Sequence, residues 1–177
     1  RFAGHIVAGL TDVDARRLAS AQRNLDDARA IYPDRAEVDV LDEKIAGLEL
    51  ALLIERLTAT ARAAAQGDDW ATAEQSYIQV RRLAPANRDI TDGLALAQMI
   101  NALHARAARH LAAPARLASE AVAADAGSVV DAVGPLRGDS PRLAAQADVL
   151  ADLVAAYGVK VPVRIVSDGK TDITVRG

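Results

Sequence analysis

Apolar residues recur at intervals of three and four along most of the chain, the period of a helix that buries one face. Between residues 11 and 32, Val13, Leu18, Ala21, Leu25, Ala28 and Ile31 keep this spacing and Pro33 closes it, which predicts one amphipathic helix. Residues 35–66 contain no proline and a single glycine, Gly47. Val38, Leu41, Ile45, Leu48, Leu52, Leu57, Ala61 and Ala64 read there as one stripe, so one long helix is expected, with Gly47 as the place for a bend. Gly67, Asp68 and Asp69 end it. Trp70, Ala73, Tyr77, Val80 and Leu83 then predict a short antiparallel partner helix that stops at Ala84-Pro85-Ala86-Asn87.

Asn87 or Asp89 is placed to cap the next helix, whose apolar face runs through Ile90, Leu94, Ala97, Ile100, Leu103 and Ala107 to Leu111. From residue 114 to 134, Leu117, Ala121, Ala124, Val129 and Val133 face one way, but Gly127 and Ser128 interrupt them; one broken helix or two short ones are expected. Ser140 and Pro141 make an N-cap and first turn for a helix to Tyr157 bearing Leu143, Ala147, Leu150, Leu153 and Val154. Short turns between helices make sequential neighbours antiparallel. At Gly158 the period changes to two. Val161, Val163 and Ile165, the turn Ser167-Asp168-Gly169-Lys170, then Ile173 and Val175 predict a β-hairpin over residues 159–177.

The expected fold class is therefore mainly α, an α-solenoid of antiparallel helical hairpins over residues 1–158, with a C-terminal β-hairpin expected to be the start of a small β-domain truncated at Gly177. With 177 residues the chain is long enough for one core and a small appendage. Few aromatics, 3%, and abundant alanine disfavour an all-β fold and a large ligand cavity. A net charge of −3 with dispersed basic residues disfavours nucleic acid, which requires a phosphate-matching basic face. The absence of cysteine excludes disulfides and thiolate metal sites. No stretch has the length and apolarity of a membrane span or signal peptide, so no membrane contact is expected within these residues. With Arg1 in place of methionine, the chain is expected to be a fragment, with an anchor or signal upstream. Few lysines beside many arginines, with abundant alanine, lead to the expectation of a GC-rich bacterial genome, on codon usage alone.

Residues 54–87 carry the most specific pattern. Leu57, Ala61 and Ala64 lie on one helix, Trp70 follows the turn, Ala73, Tyr77 and Val80 lie on the second helix, and Pro85 stands at the exit. Small residues at Ala61 and Ala73 let the two backbones approach, and Tyr77 fills the wedge against the following helix. This arrangement resembles a tetratricopeptide repeat. A weaker echo, Gly9, Ala21, Leu25, Ala28 and Pro33, precedes it, with its exit proline 52 residues from Pro85 instead of the family's usual spacing of about 34. The order of helical hairpins followed by residues 162–175 is also similar to bacterial envelope proteins in which an anchored tetratricopeptide-like region precedes a PEGA-type β-domain. That resemblance implies a periplasmic or envelope location with the anchor upstream, the cytoplasm being the alternative. By position, the first resemblance implies a ligand-binding concave face at Glu55, Thr58, Arg62 and Ala65. Thr58 and Arg62 stand where some members carry the Lys and Asn that clamp a C-terminal carboxylate, so that mode is disfavoured.

Chemistry-bearing residues give no catalytic or metal constellation. His104 and His110 are six residues apart, about 120° around a helix, and so do not share a face. With His5 they read as surface or satisfied histidines, and no metal or other cofactor is expected. Single glycines at turns offer no phosphate loop. Ser20, Ser76, Ser119 and Ser140 lack a nucleophile-elbow context. Asp26-Asp27 and Asp68-Asp69 read as capping or solvated carboxylates, and Arg16-Arg17, Arg81-Arg82 and Arg106, Arg109, His110 as solvated helix faces. Arg137-Gly138-Asp139 spells a cell-attachment tripeptide, against which stands a simple turn into the helix begun by Ser140-Pro141. No enzyme is expected. The expected function is a protein–protein interaction or assembly scaffold with a protein or peptide partner, as monomer or weak homo-oligomer; the alternative is a spacer between an anchor and the β-domain.

Overall fold

The computed structural model describes residues 1–157; the hairpin expected over residues 159–177 lies outside them. Seven α-helices run in order among the described residues: α1 (Phe2–Asp14), α2 (Leu18–Ile31), α3 (Ala36–Gln66), α4 (Trp70–Leu83), α5 (Arg88–Ala112), α6 (Glu120–Val133) and α7 (Pro141–Tyr157). Short 3-10 segments, Pro114–Ala118 and Gly134–Leu136, flank α6, and no strand occurs among the described residues. The chain forms two compact units, one spanning Arg1–Asn101 and the other beginning at Ala102, so their boundary falls within α5.

Three details differ from the periodicity reading. The helix expected over residues 11–32 is two, because the chain turns at Ala15, Arg16 and Arg17, where Arg16 takes a left-handed φ of 58°. The break expected at Gly127-Ser128 falls instead at Ser119, and α6 runs through both residues. Ser128 Oγ there donates to the Asp125 carbonyl and accepts from Arg106, so this weak helix former is tied to its own helix and to α5.

The third difference is in α3. Its 31 residues span about 46 Å, and its apolar positions are not one stripe. Val38, Leu41, Ile45 and Leu48 are buried in its first half, where α1 and α2 pack. Ala61 is buried in its second half, beside α4, with Leu57 and Ala64 half-buried. At about 100° per residue, Ile45 and Ala61 point roughly 160° apart. The five-residue step from Leu52 to Leu57 is the phase slip that turns the buried face around. One helix thus closes one bundle with its first half and opens the next with its second. Gly47 lies on the open side, and a Cβ there would meet nothing within 4 Å.

The first unit consequently contains the same arrangement twice, displaced by 52 residues. α2 and α4 have 14 residues each and begin at Leu18 and Trp70. The turns before them share their backbone: the Ala15, Arg16 and Arg17 N–H groups donate to Thr11, Val13 and Asp12, and those of Gly67, Asp68 and Asp69 to Ala63, Ala65 and Ala64. Arg16 and Asp68 have φ values of 58° and 59°. Buried positions also correspond, Ala21 with Ala73, Leu25 with Tyr77, Ala28 with Val80, Val38 with Ile90 and Leu48 with Ile100. A polar bridge repeats as well. Gln22 of α2 donates to Glu49 of α3, and 52 residues on, Asn101 of α5 donates to Glu74 of α4 at 2.7 Å.

Size is exchanged between the copies at one place. In the first, Leu41 approaches Gly9, where a Cβ would come within 2.6 Å of its Cδ2. In the second, Gly93 occupies the position of Leu41, and the larger Tyr77 replaces Leu25; a Cβ on Gly93 would lie 2.7 Å from the Tyr77 Cζ. Each copy fills its interior with a different large residue opposite a glycine, which keeps the packing dense without a shared sequence.

The second unit repeats part of the pattern at a displacement of 53. Ala126, Val133, Leu143, Ala147 and Leu150 are buried where Ala73, Val80, Ile90, Leu94 and Ala97 are buried in the first unit. Ser140 Oγ accepts the Leu143 N–H, as Asn87 Oδ1 accepts that of Ile90. These caps each satisfy one of the donors that a helix start leaves open.

Candidate functional site

The residues expected to form a binding face lie together along α3. Glu55, Thr58 and Arg62 are spaced three and four apart and so share one side of the helix, flanked by Ala65. Glu55 and Arg62 are exposed and Thr58 and Ala65 half-buried. Glu55 accepts from Arg16 Nη2 at 2.6 Å, which fastens the α1–α2 turn to the middle of α3. Arg62 has no ion-pair partner among the described residues and is the open charge of this face. At the middle of α3, Leu50 and Leu53 are exposed and Leu52, Ile54 and Leu57 half-buried, so apolar side chains project on several sides of the helix where its buried face turns around.

The packing residues of the α3–α4 hairpin are placed by the same geometry. Ala61, Trp70, Ala73, Tyr77 and Val80 are buried, Leu57 and Ala64 are half-buried, and Pro85 is exposed beyond the end of α4. Trp70 Nε1 donates to Asp68 Oδ1 at 2.8 Å, which anchors the indole, and the Asn101 side-chain amide donates to the Trp70 main-chain carbonyl at 3.1 Å. Asp69 Oδ1 accepts the Thr72 N–H as the N-cap of α4. The carboxylate pair Asp68-Asp69 thereby serves the turn.

Asp12 is the one buried carboxylate among the described residues. It accepts from Arg17 Nε at 2.8 Å and Nη2 at 2.6 Å, and from Asn24 Nδ2 at 2.9 Å. Asn24 Oδ1 lies 3.4 Å from His5 Nδ1, linking the start of α1 to the same network. Hydrogen bonds from the Ser20 and Arg17 side chains hold the Asp12 carboxyl below its ordinary value, against the opposing effect of burial. A folded value below the unfolded one adds stability above the unfolded pKa and loses it as pH falls through the folded value. Asp12→Asn is therefore expected to destabilise the first unit at pH 7, with the difference from wild type shrinking as the pH drops below about 4. Fluorescence of the single tryptophan, Trp70, during urea unfolding at several pH values measures it. A difference that stays constant with pH would refute the ionic role of Asp12.

The histidines of the second unit are each engaged by a different helix. His104 Nδ1 lies 2.8 Å from Gln146 Oε1 of α7, and its Nε2 lies 3.4 Å from Ser140 Oγ. Ser140 is fully buried and its oxygen accepts the Leu143 N–H, so this serine–histidine contact caps and fastens α7. His110 Nε2 lies 2.8 Å from Asp125 Oδ2 of α6, whose Oδ1 accepts from Arg106 at 2.6 Å. The Arg106 and His110 hydrogen bonds lower the Asp125 pKa. The group expected as a solvated basic face therefore has two of its members tied across to α6. Arg137 of the attachment-like tripeptide is paired with Asp148 of α7, which lowers the carboxyl pKa and raises that of the guanidinium.

No group of histidine and carboxylate side chains that could hold a metal ion occurs among the described residues, and none of their helices is long and apolar enough to cross a membrane. Comparisons with protein-family models, with curated proteins and with solved structures find no match to this chain.

Proposed function

We propose that the chain is a non-enzymatic scaffold that holds a protein or peptide partner, a tetratricopeptide-like helical repeat of the bacterial envelope. The observation that carries this reading is the repetition of one helix–turn–helix arrangement at a spacing of 52 residues, with matching turns, matching buried positions and a matching polar bridge. Repeated helical units bury their apolar faces against neighbours and leave a side of each shared helix as a continuous surface. The spacing exceeds the family's usual period of about 34 because the shared helix α3 is 31 residues long. On that helix the face of Thr58 and Arg62, with Glu55 held by Arg16, is the surface that the reading assigns to the partner.

Recognition there would combine shape, the apolar side chains of the middle of α3 and the open charge of Arg62. Thr58→Arg with Arg62→Glu changes no fully buried residue. It is expected to abolish partner recovery by affinity capture after in-cell crosslinking, while far-ultraviolet circular dichroism stays unchanged. Undiminished recovery of the same partner would remove this face from the reading.

A spacer is the second reading, favoured by the length of α3, about 46 Å. Insertion of a further helical pair after Pro85 separates the two. A spacer retains cellular function with the insertion, whereas a repeat whose surface must be continuous loses it.

A further inference from the structure

The second unit departs from the repeat at one place. In the first unit α3 continues to Gln66 and turns into α4 within three residues. At the corresponding place α5 stops at Ala112, and a 3-10 segment, Pro114–Ala118, carries the chain to α6. This early ending opens a cavity of about 290 Å³ lined by Arg109 and His110 of α5, Ala113, Arg116 of the 3-10 segment, and Ala121, Val122 and Asp125 of α6. Such a local break in a repeated pattern is where a functional site is expected.

The charge of the cavity is positive. Asp125 is the only acid on its wall, and Arg106 and His110 already engage both of its carboxylate oxygens. Arg109 and Arg116 are exposed and have no ion-pair partner among the described residues. Two guanidinium groups brought to one cavity from separate elements offer forked donors suited to an oxyanion. The first turn of α6 contributes the N–H groups of Ala121 and Val122, since Ser119 at its N-cap makes no side-chain capping bond; Glu120, the first residue of that turn, is exposed outside the cavity lining and is an acid that opposes an anion there. The volume suits a small anion with a modest organic substituent and is too small for a folded partner.

We propose that this cavity binds a phosphate-class oxyanion, a phosphomonoester group, held by Arg109 and Arg116 with the start of α6. The site is separate from the α3 face and does not depend on the scaffold reading.

The full chain, titrated with inorganic phosphate at constant ionic strength maintained with chloride, tests it. Saturable binding is expected, with amide shifts concentrated at Ala121 and Val122 in nitrogen–proton correlation spectra. Arg109→Ala with Arg116→Ala is expected to weaken binding about tenfold or more, while Arg81→Ala with Arg82→Ala, which removes as much charge elsewhere, leaves it within about twofold. Unchanged circular dichroism establishes that both variants are folded. Phosphatidylcholine vesicles with and without phosphatidic acid distinguish the source: binding that requires phosphatidic acid and Arg109 with Arg116 places the group on a lipid, and binding of soluble phosphate alone places it on a soluble ligand. Absence of saturable phosphate binding, or an equal loss in the Arg81 and Arg82 variant, overturns the proposal.

Discussion

Leu41→Ala is expected to destabilise the first unit by about 2–5 kcal/mol, the range for truncating a fully buried leucine. Leu41 is completely buried in the first half of α3 and lies over Gly9 of α1, with Asn24 of α2 also beside that glycine. Collapse around the gap is hindered because Gly9 has no side chain to move into it and Ala21 and Ala28 of the same buried cluster are small. The loss belongs to the upper part of the range for that reason. Urea unfolding followed by circular dichroism and by Trp70 fluorescence measures it. Because Trp70 lies in the second copy of the repeat, coincident loss by both probes would show that α3 couples the two copies. A cost below about 1 kcal/mol would contradict the packing of α3 on α1 and α2.

Gly93→Leu is expected to cost about 1–3 kcal/mol or more, and Tyr77→Leu to reverse most of that cost. The substituted Cβ meets the Tyr77 ring at 2.7 Å, and a ring anchored in a buried site yields less readily than the end of an aliphatic chain. The pair of leucines reproduces the solution of the first copy, where Leu25 and Leu41 stand at these two positions. A coupling energy of about 1–3 kcal/mol in the double-mutant cycle is the expected result, and additive costs would refute the exchange of volume between the copies. The comparison is differential, so it is less sensitive than an absolute stability to effects on the unfolded chain.

Most helices were legible because their apolar spacing is long and regular, as in α4, α5 and α7. α1 was not. Its buried positions include Gly9 and Asp12, which carry no apolar signal, and Ala15-Arg16-Arg17 gives no glycine, proline or asparagine to mark the turn. Arg16 instead takes its left-handed φ within a turn closed by backbone hydrogen bonds and the Asp12–Arg17 pair, which emerge only on folding. The rotation of the buried face along α3 was present in the sequence as the step from Leu52 to Leu57, but a single stripe absorbs one irregular interval without visible conflict.

The 52-residue spacing was visible in Pro33 and Pro85, whereas the repeat between them was hidden by physical compensation. Leu25 became Tyr77 as Leu41 became Gly93, and the Gln22–Glu49 bridge reversed its donor and acceptor in Glu74–Asn101. Geometry is retained by such exchanges while residue identity is lost. Of the candidate face, the common side of Glu55, Thr58 and Arg62 followed from helical spacing, but the capture of Glu55 by Arg16 required the turn that was missed. The cavity at Arg109 and Arg116 was illegible for a different reason: the end of α5 near Leu111 could be read from the spacing and Pro114, but the 3-10 course of Pro114–Ala118, which carries Arg116 to the cavity wall, leaves no periodic signal.

Site-specific photocrosslinking in cells tests the scaffold reading most directly, with a photoreactive residue at position 62 of the full chain and, as control, at the exposed position 82 of α4. The scaffold reading predicts a discrete crosslinked protein at position 62 that is absent at position 82 and lost when Thr58→Arg is added. No discrete product at position 62, or the same products at both positions, would contradict it.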